Sequence, residues 1–141
     1  MEKRTVKKIY HVDNYTLIRA IVIGIAYREK MKNRKNFLQR ASNQQVKAAV
    51  YKAVCSCKLF NRKADIHDLP ELEKYFKYRL ILLNEDYLKS ENIIYINKNT
   101  NYKKTIYLQC RPPWGFNVID SMKSYCGKFC DRCIRRHECL E

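Results

Sequence analysis

Acidic residues are scarce in this chain. Asp and Glu number 14 against 29 Lys and Arg, for a formal charge of +15 and a pI near 9.6. Such a shortage disfavours cationic partners and points to polyanions, above all DNA or RNA, because each neutralised phosphate releases condensed counterions. An AT-rich coding sequence also raises Lys, Asn, Ile and Tyr, and the 11 tyrosines fit that blander origin. A second absence is an apolar run long enough to span a bilayer: the most apolar stretch, 13–27, has only about fifteen residues and is interrupted by Arg19. A third is a secretory leader, since the basic start Met1-Glu2-Lys3-Arg4-Thr5-Val6-Lys7-Lys8 is followed by no apolar core. The expectation is therefore a cytoplasmic or nuclear protein, neither secreted nor membrane-bound. Its seven cysteines are then expected as thiols or metal ligands rather than disulfides.

What is present suffices for one compact domain with a small appendage: 141 residues, 46% of them apolar. Residues 1–12 read as a basic N-terminal segment in which Val6, Ile9 and Tyr10 favour a short edge strand. In 13–27, Leu17, Ala20, Ile21, Gly24 and Ile25 recur at helical spacing, while Ile18, Val22 and Ile23 cover the other side. A helix apolar nearly all round must be buried nearly all round, and Asp13 or Asn14 is expected to cap it. A charge run follows over 27–36, then a second helix over 37–57 that Ser42-Asn43 can divide in two. Residues 65–76 open with Asp65, Asp68 and Pro70, signals of a helix start. His67 beside Asp68 is accounted for by that start, with no catalytic role.

From there the period changes. Short runs rich in Ile, Leu and Tyr at 79–83, 92–97 and 104–109, with a last one from Phe116 to Ile119, read as strands. Helices first and strands after predict an α+β domain over 13–120, with two to three helices on a small mixed or antiparallel sheet. Residues 121–141 form a Cys/His-rich tail. Cys130 and Cys133 supply a Cys-x-x-Cys knuckle, and His137 and Cys139 complete the four soft ligands that tetrahedral zinc prefers, with Cys126 as an alternative. One structural Zn²⁺ is expected there. Cys55 and Cys57, one residue apart, are expected to act as small apolar residues.

Two motif frames carry a family resemblance. Asp13, Leu17, Arg19 and Ala20 match the Asp-x-x-Cys-Leu-x-Arg-Ala nucleophile motif of ovarian-tumour-domain (OTU) cysteine proteases, with Thr16 at the cysteine's position. Phe116, Asn117 and Ile119 resemble the same family's His-(Tyr/Phe)-(Asn/Asp)-x-(Val/Ile) strand, with Gly115 at the histidine's position. With the Phe-Cys-x-x-Cys tail added, the chain resembles the segment preceding the exonuclease in protein-primed family B DNA polymerases of Maverick/Polinton-type elements and related viruses. The resemblance implies an OTU-like core whose site at Asp13, Thr16, Gly115 and Asn117 is degenerate, so no enzyme is expected. It further implies that Thr16 faces the strand beginning near Phe116, as in a protease cleft.

Three functions follow as expectations. The first is an inactive OTU-like binding module that contacts nucleic acid or a replication partner. The second is a divergent deubiquitinase using Cys55, Cys57 or Cys110. The third is a small zinc-dependent nucleic-acid-binding regulator. For the nucleic-acid contact the candidate residues are Lys7, Lys8, Arg28, Lys30, Lys32, Arg34 and Lys35, together with Arg132, Arg135 and Arg136 of the tail.

Overall fold

The computed structural model describes residues 6–9, 13–32, 34–39, 43–84, 93–99, 101–111 and 115–119. In chain order the elements are β1 (Val6–Lys7), α1 (Thr16–Arg28), α2 (Arg34–Gln39), α3 (Gln44–Cys57), α4 (Leu69–Phe76), β2 (Arg79–Asn84), β3 (Ile93–Tyr95), β4 (Thr105–Arg111) and β5 (Gly115–Ile119). The domain is α+β, as the order of helical and strand periods predicts. Its strands form one sheet in the order β1-β5-β4-β2-β3. The sheet is mixed: β2 and β4 are parallel, and the other neighbouring pairs are antiparallel. The expected edge strand is the short β1, paired Val6 to Ile119 and Lys7 to Val118.

Helix α1 lies at the centre. Leu17, Ile18, Ala20 and Ile21 are fully buried, and Ile23 and Ala26 nearly so. At about 1.5–3 kcal/mol for each large aliphatic side chain withdrawn from water, this helix supplies much of the hydrophobic stabilisation. Its sheet-facing side packs on β4 and β5, and its other side on α3. The strands alternate accordingly. Leu80 and Leu82 of β2, Ile106 and Leu108 of β4, and Phe116 and Val118 of β5 join the core beneath the helices. Ile81, Leu83 and Ile119 face the opposite side. Both faces of β2 are buried, which explains its unbroken run Leu80-Ile81-Leu82-Leu83.

Local signals act where the sequence places them, with one exception. Asn43 caps α3, its side chain accepting a hydrogen bond from Val46 N at 3.1 Å, so the helical pattern of 37–57 is indeed interrupted before it. Asp65 and Asp68 form a reciprocal capping box over the 3₁₀ turn at Ile66–Asp68, and Pro70 sits in the first turn of α4. Arg62 pairs with the largely buried Asp68. Burial alone would raise the Asp68 carboxyl, but the hydrogen bonds from Arg62 and from the Asp65 backbone, with the Arg62 charge, hold it below its usual range. Glu73 joins α4 to the sheet: its carboxylate accepts from Leu80 N at 2.9 Å and from the Tyr95 hydroxyl. The exception is α1, which no side chain caps. Asp13, expected there, accepts from Tyr15 N just ahead of the helix and from Arg19 within it.

At Gly24, α1 passes close to β4 and β5. A Cβ there would lie 2.7 Å from Cγ2 of the buried Ile106. Helix propensity favours Ala over Gly by about 1 kcal/mol, whereas overpacking a tight core costs about 1–3 kcal/mol. Gly24→Ala is therefore expected to leave the protein about as stable or up to about 2 kcal/mol less so. In an Ile106→Ala background the same substitution should become stabilising, a sign change that urea denaturation of the four proteins in the cycle would report.

Candidate nucleic-acid interface

Position by position, the two ends of α1 differ in what they can do. Contacts at its C-terminal end fix its direction: Tyr27 and Arg28 line a cavity of about 210 Å³ with Thr105, Ile106 and Tyr107 from the start of β4 and Ile119 from the end of β5. Helix α1 thus runs along β5 in the same sense, and Thr16 and Gly115 fall at the same end of the domain.

Sharing an end does not make them face each other. Phe116 and Val118 point to the helices, so by strand alternation Gly115, Asn117 and Ile119 point away. A Cβ at Gly115 would meet the Arg111 carbonyl at 3.5 Å and no atom of α1. Asn117 is buried on that far side, where its amide donates to Gln109 Oε1 at 3.0 Å and its carbonyl accepts from Ile9 N at 3.1 Å. The expectation that these positions confront the start of the helix is therefore corrected. Asn117 stands in for a ladder partner of the departing β1 strand, a structural duty that the motif frame does not reveal.

Thr16 is equally occupied. Its buried hydroxyl accepts from Asp13 N at 2.7 Å and donates to Asp13 O at 2.9 Å, closing the turn that starts the helix. Arg19 then grips both oxygens of Asp13 at 3.1 Å. The spacing Asp-x-x-Thr-x-x-Arg is thus a closed local network of hydrogen bonds and one ion pair. Two of the three candidate thiols, Cys57 and Cys110, are perturbed by their surroundings. Burial, then Glu71 and Asp68, push the Cys57 thiol up, and burial pushes up that of Cys110. A raised thiol is a poor nucleophile.

Among the described residues, cations from several segments lie about the C-terminal end of α1. Lys7 from β1 and Arg34 from α2 lie 5.2 and 5.7 Å from the centre of the same Tyr27 ring, close enough for cation–π attraction. Arg28, Lys30, Lys32 and Lys35 continue this edge and are exposed. The sheet contributes cations that sequence reasoning missed. Arg79 N donates to Lys104 O, and Lys104 Nζ reaches Glu29 at 2.9 Å, which brings exposed Lys77, Lys103 and Lys104 to the same end. Glu29 is the carboxylate held among these cations: the Tyr78 hydroxyl and then Lys104 keep it ionised below its ordinary range. Burial and this bond push Tyr78 up to about 12. The pair Lys103-Lys104 was visible in sequence, but only strand pairing puts it beside the 28–35 run. Lys8 lies next to Lys7 and is half-buried.

The expected zinc ligands Cys130, Cys133, His137 and Cys139, the alternative Cys126, and the expected nucleic-acid contacts Arg132, Arg135 and Arg136 lie outside the described residues. No helix among the described residues is long and apolar enough to cross a membrane. Compared with protein-family models, with curated proteins and with solved structures, the chain matches none.

Because the Thr16 hydroxyl both donates and accepts, Thr16→Val keeps the shape but leaves the Asp13 N–H without its acceptor. A loss of about 0.5–2 kcal/mol is expected, with most of it recovered in Thr16→Ser. Chemical denaturation of the three proteins checks this; equal stability of the valine variant would show that the turn does not depend on the hydroxyl.

Proposed function

We propose that this chain is a binding module without hydrolytic activity, which grips the phosphates of nucleic acid through the basic end at the C-terminus of α1. The observation that carries the reading is the convergence of cations from four separate segments: Lys7, the 28–35 run, Lys77 and Lys103-Lys104. Like charges gathered at one place repel, and the helix C-terminus beside them carries only a partial negative charge, so an external polyanion is the natural counterpart. The occupied Thr16 hydroxyl and the raised thiols of Cys57 and Cys110 support the absence of protease chemistry, against a divergent deubiquitinase. The likeness of its motifs to OTU-like segments of Maverick/Polinton-type polymerases supports a place beside a replication protein.

Binding of this kind is largely indifferent to sequence, with dissociation constants of about 10⁻⁴–10⁻⁶ M at physiological salt. A plot of log affinity against log salt for a short duplex should fall with a slope of about −0.9 per phosphate contacted. Replacing Lys30, Lys32, Arg34 and Lys35 together by Ala should flatten that slope by about one for each contact removed, while Lys52→Ala on α3 leaves it unchanged. No duplex binding even at low salt would overturn the reading in favour of a protein partner.

The tail is proposed to hold one structural zinc on Cys130, Cys133, His137 and Cys139, whose three thiolates Arg132, Arg135 and Arg136 would help to neutralise. Protein prepared under reducing, chelator-free conditions should carry about one zinc per chain, and Cys133→Ser should lose it while the helical circular dichroism of the core persists. Elemental analysis without zinc would refute the site.

A further inference from the structure

At the other end of α1 the helix packs on α3 to leave a cleft of about 380 Å³, lined by Tyr15, Arg19, Lys47, Tyr51 and Phe60 over a floor of Val50 and Val54. The volume is within the range of small-molecule sites. Its walls are unusual for a surface of this size. Tyr51 and Phe60 are 64% and 51% exposed, although water contact costs such rings much of their hydrophobic gain. Their centroids are 6.5 Å apart and their planes 71° apart, so the two rings form an open corner rather than a closed stack. A flat aromatic ligand can lie on one ring with its edge against the other.

The charge in the cleft selects among flat ligands. Lys47 is exposed on the rim. Arg19 is 7% exposed in the wall, fixed by Asp13, and its Nε makes no hydrogen bond among the described residues. Asp13 is paired with Arg19, and no Asp or Glu is among the described residues that line the cleft. An aromatic corner with Lys47 on its rim and no acid among its described lining residues fits a planar base joined to a phosphate.

We propose that this cleft holds an unpaired base of a single-stranded nucleic acid, stacked in the Tyr51–Phe60 corner, with its phosphate on Lys47. The site rests on the reading of the chain as a nucleic-acid binder, but it lies about 12–20 Å away along α1 from the basic end that reading uses. A base within a duplex is shielded from such a corner, so the cleft confers a preference for single strands that the basic end alone lacks.

The test compares an eight-nucleotide oligothymidylate with a duplex of equal phosphate number, using the whole chain. Tyr51→Ala and Phe60→Ala, both at exposed positions, should each weaken oligothymidylate binding roughly 5- to 100-fold, the effect of removing one stacking ring, and leave duplex binding unchanged. Tyr51→Phe should retain the preference, and Lys47→Ala should reduce the single-strand salt slope by about 0.7, the value for one phosphate contact. Equal affinities for the two ligands, or equal losses for both in the variants, would overturn the cleft proposal while leaving the basic end intact. Loss of duplex binding at low salt would instead overturn the basic-end reading. In ¹H–¹³C aromatic spectra, oligothymidylate should shift the ring signals of Tyr15, Tyr51 and Phe60. If it leaves them in place while a short peptide ending in an aromatic residue moves them, the cleft is a peptide site and the proposal fails.

Discussion

Helix α1 buries nearly its whole circumference, and the remaining elements are arranged to cover it. β4 and β5 approach so closely that Gly24 has no room for a methyl group on one side, and α3 closes the other. Burial on all sides fixes the helix rotationally and along its axis. As a consequence, its two ends become fixed reference points, one next to the Asp13–Thr16–Arg19 network and the other inside the basic cluster. Because protein interiors are packed as densely as organic crystals, such a helix cannot shift to bring a distant group into reach. Whatever each end does, it does with the residues already there.

At the N-terminal end this rigidity serves structure. The Thr16 hydroxyl and the Asp13 carboxylate spend their hydrogen-bonding capacity on the turn and on Arg19, while Asn117 spends its own across the far face of the sheet. A partly buried ion pair with bidentate geometry is costly to break from one side, because the partner is left uncompensated. The polar residues of the motif that resembles a nucleophile frame are thereby engaged in local bonding. At the C-terminal end the helix brings charge from distant segments together. Lys7 and Arg34 both lie within cation–π reach of the Tyr27 ring, and Glu29 anchors Lys104.

Much of the fold was legible because the signals were local. The apolar period of α1, the Asn43 cap, the Asp65–Asp68 box with Pro70, and the Ile- and Leu-rich strands all act within a few residues. What stayed hidden needs pairing between distant segments. The parallel β2–β4 register, which brings Arg79 opposite Thr105 and so carries Lys103-Lys104 to the basic end, has no counterpart in any short stretch. The direction in which Gly115 and Asn117 point depends on which face of β5 meets α1, and in a strand a shift of one residue reverses that answer. Likewise Tyr51 and Phe60 read as ordinary members of a helix and a loop, and only their mutual angle makes a corner of them.

Mapping the contact surface directly would test the central idea, that the fold converts a general excess of positive charge into one phosphate-binding end. In backbone amide spectra of the ¹⁵N-labelled protein titrated with a short duplex, the account predicts shifts concentrated at Lys7, Arg28, Lys30, Lys32, Arg34, Lys35, Lys103 and Lys104. They should collapse together as salt is added and the electrostatic attraction is screened. Shifts scattered evenly over α3, α4 and the basic end alike would contradict it, and would mean that the charge is compositional rather than arranged.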